Sequence, residues 1–380
     1  MQYDPKISEQ KAHNAEVFSE TMQICRNGGY DLPAGRHIEL PKIEDVLSAS
    51  IFYNEVKNVI DIPQALESRV DVVKMDCIDA TQELVEQGFN PIMLNMASRR
   101  CPGGGVLNGA RAQEETLFRR SNLCVSLYQY DEYCASLLSL PLGAGRYPMD
   151  YNAPGIYSGR IMFFRKSEQE GYAVMNDPFE CAVVSAAAIS HPELNQFGRL
   201  VERSERATIE KIRNVLRIGL INGHDSIVLG AWGCGAFRNP PEHIAELFKV
   251  VIEESEFANK YRIIRFAIIE DHNSRNVNFN SFVKVFEIGN DKKDSSVDIK
   301  RNENNEIIDH IEAVRSIIRN KCSRCDPGIN GCMGCLYDTI AGEMIPSSLD
   351  RVIKLMSLMP NDRSSIVAAA MRRIDRRETL

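Results

Sequence analysis

Residues 92–115 read IMLNMASRRCPGGGVLNGARAQEE, an apolar strand pattern that runs into three consecutive glycines and then into an acidic helix start. Glycines supply no side chain to pack and lose much backbone freedom on folding, so such a loop is typical where a ligand or another backbone comes close. A merely flexible turn is the alternative interpretation of the triplet taken alone.

The acidic helix start consists of Gln113, Glu114 and Glu115, followed by apolar residues such as Leu117 and Phe118. The helix dipole favours acidic residues in a first turn, so a capping role alone is one interpretation of the pair. Neighbouring helical positions differ by about 100° around the axis, so the two carboxylates cannot point the same way. We therefore expect one to face a reacting bond and the other to fix the ligand or the helix.

A second glycine turn lies in residues 229–239, LGAWGCGAFRN, directly after an apolar strand pattern. A Gly-x-Gly turn between a strand and a helix offers backbone N–H groups to a diphosphate, and the helix N-terminus adds favourable potential. Taken alone the pattern is weak, because tight-turn packing explains most such glycine pairs.

Short apolar runs alternate with helical patterns along most of the chain, which predicts a layered α/β fold with a mixed, largely parallel sheet between helices. The predicted strands are 70–73, 92–97, 161–164, 183–187, 226–231 and 263–269, and the predicted helices are 8–26, 80–87, 113–130, 205–220 and 241–254.

The composition suits one large domain and a small one: 380 residues, of which 44% are hydrophobic. The polar stretch 290–305 has the composition of a linker, so we predict domains at 1–295 and 306–380. A net charge of −7 argues against a protein whose whole surface binds nucleic acid non-specifically. Neither a membrane span nor a signal peptide is recognisable, which predicts a cytoplasmic protein.

Two C-x-x-C pairs lie in the C-terminal region, Cys322 with Cys325 and Cys332 with Cys335. Four thiolates saturate a tetrahedral ion, which predicts a closed structural zinc site; iron–sulfur ligation and redox-active thiol pairs are the alternatives. The basic C-terminus, with Arg372, Arg373, Arg376 and Arg377, is either a solvated helix end or a patch for polymer phosphates, nucleic acid or a partner protein.

The glycine triplet, its spacer and Gln113-Glu114-Glu115 resemble the signature of poly(ADP-ribose) glycohydrolases, particularly their microbial type. The second glycine loop resembles the diphosphate loop of the same family. This resemblance implies a three-layer α/β/α macrodomain-like fold, to which the small four-cysteine zinc module and its helices would be appended. That module is not part of the family signature, so it leaves open which ADP-ribose linkage is cleaved.

The resemblance also implies roles for individual residues. Glu115 would protonate the leaving ribose oxygen, and Glu114 would bind the ribose beside the scissile bond. Two loops would enclose the diphosphate and the distal ribose, without a catalytic metal or cofactor. The substrate-binding residues implied are Asn95, Ser98, Gly103, Gly104, Gly105, Val106 and Gln113 in the first segment and Gly233, Cys234, Gly235, Ala236 and Phe237 in the second.

The resulting expectation is hydrolysis of ribose–ribose O-glycosidic bonds in poly(ADP-ribose), with ADP-ribose as the product. One alternative is a hydrolase of single ADP-ribose groups attached to protein or nucleic acid. Another is a non-catalytic ADP-ribose reader, against which the presence of both Glu114 and Glu115 argues, since a reader needs phosphate loops but no acid.

Overall fold

The computed structural model describes residues 5–33, 35–59, 61–65, 67–152, 154–269 and 277–286. All of them lie in the first of the two units into which the chain divides, Met1–Asn290 and Asp291–Leu380. The predicted linker, the four tail cysteines and the basic C-terminus lie outside the described residues.

Alternating strands and helices make up this unit. The strands are β1 (Gly29–Asp31), β2 (His37–Glu39), β3 (Ser50–Tyr53), β4 (Arg69–Val73), β5 (Pro91–Met96), β6 (Gly155–Arg165), β7 (Val174–Ala186), β8 (Ser226–Leu229) and β9 (Ile263–Ala267). The helices are α1 (Pro5–Asn27), α2 (Ile43–Ser48), α3 (Cys77–Glu86), α4 (Gln113–Arg120), α5 (Leu123–Tyr128), α6 (Glu132–Leu138), α7 (Glu202–Ile221), α8 (Pro241–Ile252) and α9 (Val277–Phe286), with short 3₁₀ turns at Val106–Asn108 and Glu168–Glu170.

Seven of these strands form one sheet in the order β3-β6-β7-β5-β8-β9-β4. The pairs from β7 to β4 are parallel, whereas β6 pairs antiparallel with both β3 and β7. The sheet is therefore mixed and largely parallel, as the alternation of strand and helix patterns predicts.

Helices cover both faces of the sheet because successive side chains of a strand point to opposite sides. Along β5, Met93 joins a core cluster that contains Phe18 of α1 and Phe118 of α4. Its neighbours Ile92 and Leu94 join a second cluster, with residues of α7, α8 and α9. The arrangement is the predicted three-layer α/β/α fold.

The prediction of one continuous helix at 113–130 is wrong. The segment forms two helices, which are separated by a break at Ser121-Asn122. The Ser121 hydroxyl donates to the Leu117 carbonyl at 2.7 Å, and the Asn122 side-chain oxygen accepts the N–H of Met162 at 2.8 Å. Side chains of this kind compete with helical hydrogen bonds. The break attaches the end of α4 to strand β6.

Strand β7 is longer than the predicted 183–187, and it includes Pro178. Proline cannot donate a ladder hydrogen bond and is confined to irregular or edge positions in sheets. Here it falls beside the register shift between Phe163 and Arg165 of the partner strand, so the strand continues through it.

No helix within the described residues combines the length and apolar character needed to span a membrane.

Candidate active site

The two glycine loops meet at one edge of the sheet. Strands β5 and β8 are parallel neighbours, so the loops that follow their carboxyl ends lie side by side. A Cβ atom on Gly230, which follows β8, would collide with the side chain of Met96 at the end of β5. A Cβ on Gly233 would lie 2.8 Å from Ala188, which follows β7. Three adjacent strand ends therefore bring the candidate residues together.

The glycine triplet is packed tightly against helix α4. Gly103 and Gly104 have φ angles of +78° and +54°, values that glycine adopts without strain. A Cβ on Gly103 would lie 2.7 Å from the Phe118 ring, and one on Gly104 would lie 2.6 Å from Oε1 of Glu115. The close approach of backbone and carboxylates, rather than flexibility, accounts for these glycines. Val106 is buried and begins a 3₁₀ turn.

Glu114 ties the two ends of the glycine loop together. Its Oε2 accepts the N–H of Ser98 at 2.7 Å, and its Oε1 accepts the N–H of Gly103 at 3.1 Å. The side chain of Asn95 approaches Oε1 at 3.5 Å. Burial raises the pKa of the Glu114 carboxyl to about 8, with a smaller upward contribution from the charge of Glu115, against the lowering effect of the Ser98 N–H.

Glu115 is buried beside Glu114 but keeps one oxygen without a hydrogen bond. Its Oε1 accepts the N–H of Gly105 at 2.9 Å. Its Oε2 is buried and has no hydrogen-bond partner. Both oxygens of Glu114 accept N–H groups of the loop, so Oε2 of Glu115 is the one carboxylate oxygen of the pair without a hydrogen-bond partner.

Gln113 and Asn95 bind mainly to the protein itself. The Gln113 amide accepts the N–H of Met96 at 2.8 Å and donates to the Leu94 carbonyl at 2.7 Å, which fixes the start of α4 to the end of β5. Asn95 donates to the Ser185 hydroxyl at 3.0 Å, while its buried Oδ1 has no partner. Their contacts with substrate stay predictions.

The second glycine loop is fixed at its base and open at its tip. Gly233 has a φ of +74°, and the buried side chain of Asn239 donates to its carbonyl at 3.1 Å. Gly235 and Ala236 are exposed, and a Cβ on Gly235 would meet no other atom within 4 Å. The backbone at the tip of the loop can therefore contact a ligand while Asn239 still holds the base of the loop.

The side chains of this second loop differ in their surroundings. Trp232 is only 2% exposed and belongs to the core. Burial raises the pKa of the Cys234 thiol. Phe237 is half-buried, and its carbonyl accepts the N–H of His191 at 2.8 Å, which connects the loop to the segment after β7.

Comparison with known proteins shows which proteins this arrangement resembles. Residues 19–166 match the family model described as microbial-type PARG, catalytic domain. The poly(ADP-ribose) glycohydrolase (PARG) of Thermomonospora curvata is 25% identical, with a TM-score of 0.60 over 72% of this chain and 99% of that chain. Residues 19–166 are therefore similar to the catalytic domain of microbial-type PARG.

Other solved structures have the same PARG fold. The T. curvata enzyme bound to the inhibitor ADP-HPD is 25% identical, with a TM-score of 0.58 over 72% of this chain and 99% of that chain. The PARG of Deinococcus radiodurans in complex with ADP-ribose is 23% identical, with a TM-score of 0.52 over 66% of this chain and 99% of that chain. No curated protein matches the chain.

Three residues to which the sequence analysis gave no role support the candidate active site. Asn239 anchors the second loop. Its position at the end of that loop in the sequence is the feature from which this role could have been predicted. Arg119 is fully buried and donates to the Ala110 carbonyl at 2.8 Å, which holds the spacer after the glycines. Tyr147 is buried close enough to Glu114 for the charge of that carboxylate to add to burial in raising the tyrosine pKa. No sequence pattern places Tyr147 there.

Metal ligands do not cluster in the part of the chain that the structure describes, where no group of three or more His, Cys, Asp or Glu residues could hold an ion. Cys322, Cys325, Cys332 and Cys335 lie outside that part, so the zinc site stays a prediction.

Glu114 is expected to make the stability of the folded domain depend on pH. Because burial raises its pKa from 4.5 to about 8, folding takes up a proton between these values. The contribution to stability is complete below about pH 4.5 and is lost as the pH rises through about 8. We expect this group to lower the free energy of unfolding by about 3 kcal/mol between about pH 5 and about pH 8.

Urea unfolding of the native protein and of the Glu114→Gln variant at both pH values measures this contribution. The variant cannot ionise at this position, so its stability should fall less as the pH rises. An equal fall in the two proteins would contradict the raised pKa.

Proposed function

We propose that the chain hydrolyses the ribose–ribose O-glycosidic bonds of poly(ADP-ribose) and releases ADP-ribose. The observation that carries this proposal is the buried, unpartnered Oε2 of Glu115 beside a loop of backbone N–H groups. The PARG family match and the similarity to a PARG bound to ADP-HPD give the substrate class.

Glu115 is the proposed general acid. Its carboxyl group transfers a proton to the bridging oxygen as the bond between that oxygen and the anomeric carbon breaks, so the leaving ribose departs as a neutral alcohol. The anomeric centre passes through an oxocarbenium-like state. Water then adds to the same carbon, and its proton returns to Glu115, which restores the acid for the next turnover.

Glu114 and the loops have supporting roles in this proposal. Glycosidases usually place two carboxylates on opposite sides of the bond, but Glu114 lies on the same helix as Glu115 and binds the N–H groups of Ser98 and Gly103. Its proposed work is to hold the loop in its ligand-binding shape and to contact the adjoining ribose. The water would be placed by the substrate diphosphate, bound between the two glycine loops.

The C-terminal region carries a separate proposal. Cys322, Cys325, Cys332 and Cys335 would hold a structural zinc ion, which their paired spacing supports. The module and its basic end would contact the modified macromolecule, a nucleic acid or a partner protein. Elemental analysis of the purified chain should find about one zinc per molecule; no zinc, or iron in its place, would contradict the proposal.

Incubation with labelled poly(ADP-ribose), and in parallel with protein and nucleic acid that each carry a single ADP-ribose group, tests the activity. We expect ADP-ribose to appear from the polymer. Release from the singly modified substrates alone would support the mono-ADP-ribosyl hydrolase instead. Calorimetric binding of ADP-ribose without any turnover would support the reader.

A further inference from the structure

An open cavity of about 380 Å³ is lined by the end of β3 and the segment before β6. This volume is within the range of small-molecule pockets in proteins. Its walls combine an aromatic ring, a guanidinium group, amides and one carboxylate. The lining residues are Phe52, Asn54, Gly145, Arg146, Pro148, Asp150 and Asn152.

The cavity is at the same edge of the sheet as the glycine loops. Strand β3 is antiparallel to β6, which is antiparallel to β7, so β3 and β7 run in the same direction. Asn54 directly follows β3 and therefore lies at the loop edge. Two strands separate β3 from β5, which puts the two strand ends about 14 Å apart at about 4.8 Å per strand.

Hydrogen bonds connect the wall of the cavity to the glycine loop. The side chain of Arg99 donates to the Met149 carbonyl at 2.9 Å, and the Met149 N–H donates to the Arg99 carbonyl at 2.8 Å. Tyr147 lies between the lining residues Arg146 and Pro148 and is buried, and the charge of Glu114 adds to burial in raising its pKa. The segment that lines the cavity is therefore attached to the loop that binds Glu114 and Glu115.

Positive charge is in excess around this wall. Arg99 and Arg146 are exposed, and their hydrogen bonds go to backbone carbonyls rather than to a carboxylate. Lys211 donates to the Tyr151 carbonyl at 2.7 Å, and burial, with a contribution from Arg99, lowers its pKa to about 8. Asp150 is the only acidic residue among the described residues that line the cavity.

We propose that this cavity is a second nucleotide subsite, which binds the ADP-ribose unit that carries the leaving oxygen. The inference rests on the proposed hydrolysis of poly(ADP-ribose). In that polymer the leaving group of each cleavage is itself a nucleotide with a diphosphate, so it extends beyond the acid. Arg146 would bind its phosphate, and Asn54 and Asn152 would bind its base or sugar, with Phe52 as an apolar wall.

Two substrates separate this role from the chemistry of cleavage. One is long poly(ADP-ribose), and the other is ADP-ribose with a small aryl group, without a nucleotide, at the scissile bond. For Arg146→Ala and for Asn54→Ala, we expect kcat/KM on the polymer to fall about 10-fold, the effect of about 1.4 kcal/mol of lost binding. Arg146→Glu, which reverses the charge, should lose about 100-fold, or about 2.8 kcal/mol.

On the aryl substrate the same variants should retain the kcat/KM of the native protein. Arg206→Ala, at an exposed arginine of α7 that pairs with Glu202, is the control for loss of positive charge and should leave both substrates unaffected. Unchanged polymer cleavage in all the cavity variants, or equal losses on both substrates, would overturn the subsite while leaving the proposed activity in place. A native protein that cleaves neither substrate would overturn the proposed activity itself.

Discussion

The Glu115→Gln protein is expected to bind ADP-ribose normally and to hydrolyse poly(ADP-ribose) about 1,000-fold more slowly than the native chain. Glutamine has nearly the same shape as glutamate, and its oxygen can still accept the Gly105 N–H. It cannot deliver a carboxylic proton to the leaving oxygen, and general acid catalysis typically contributes about 10² to 10⁴ in rate.

The rate of ADP-ribose release and the calorimetric affinity for ADP-ribose measure the two halves of this expectation. Glu132→Gln is a matched control, because Glu132 is also a first-turn glutamate, in α6, but is exposed. It should behave as the native protein does. Near-normal turnover by Glu115→Gln would remove Glu115 from the role of acid.

Gly104→Ala should lower both stability and activity. The residue has a φ of +54°, a conformation that costs a non-glycine residue about 1–2 kcal/mol. Its new methyl group would lie 2.6 Å from Oε1 of Glu115 and 3.1 Å from Oε2 of Glu114. Relief of this overlap must move the loop or the acid pair, so we expect a loss of about 2–4 kcal/mol in stability and of about 100-fold in kcat, since small misplacements of reacting groups reduce rates by about that factor.

Thermal unfolding and the same polymer assay measure these two effects. Gly235→Ala provides the comparison, because a Cβ at that position meets nothing within 4 Å and its φ is not among the positive ones. Its stability should match that of the native protein. If Gly104→Ala were as stable as Gly235→Ala and as active as the native protein, the close packing of the triplet against the acid pair would be wrong.

Local patterns were sufficient to predict the architecture. The apolar runs at 92–97 and 226–231 correspond to β5 and β8, and the glycines that end them mark the two loops. Buried strands and amphipathic helices can be recognised within a few residues, because their hydrophobic periodicity is a property of the local chain.

The division of the helix at 113–130 could not be predicted in this way. Its apolar spacing continues across Ser121 and Asn122, and the competing hydrogen-bond partner of Asn122 is in β6, about forty residues further along the chain. The same limit applies to Tyr147, which approaches Glu114 only because the segment before β6 folds back over the glycine loop.

By itself the sequence determined the α/β alternation and the two glycine loops, and it pointed to the pair of glutamates as the proposed chemical centre. Only the tertiary structure decided how the two glutamates differ in their hydrogen bonds. Glu114 is occupied by the N–H groups of Ser98 and Gly103, and Glu115 is left with a free oxygen. The reason is physical: periodicity and residue type are local, whereas the hydrogen-bond partners of a buried carboxylate, and the lining of the cavity, depend on which distant segments the sheet brings to one edge.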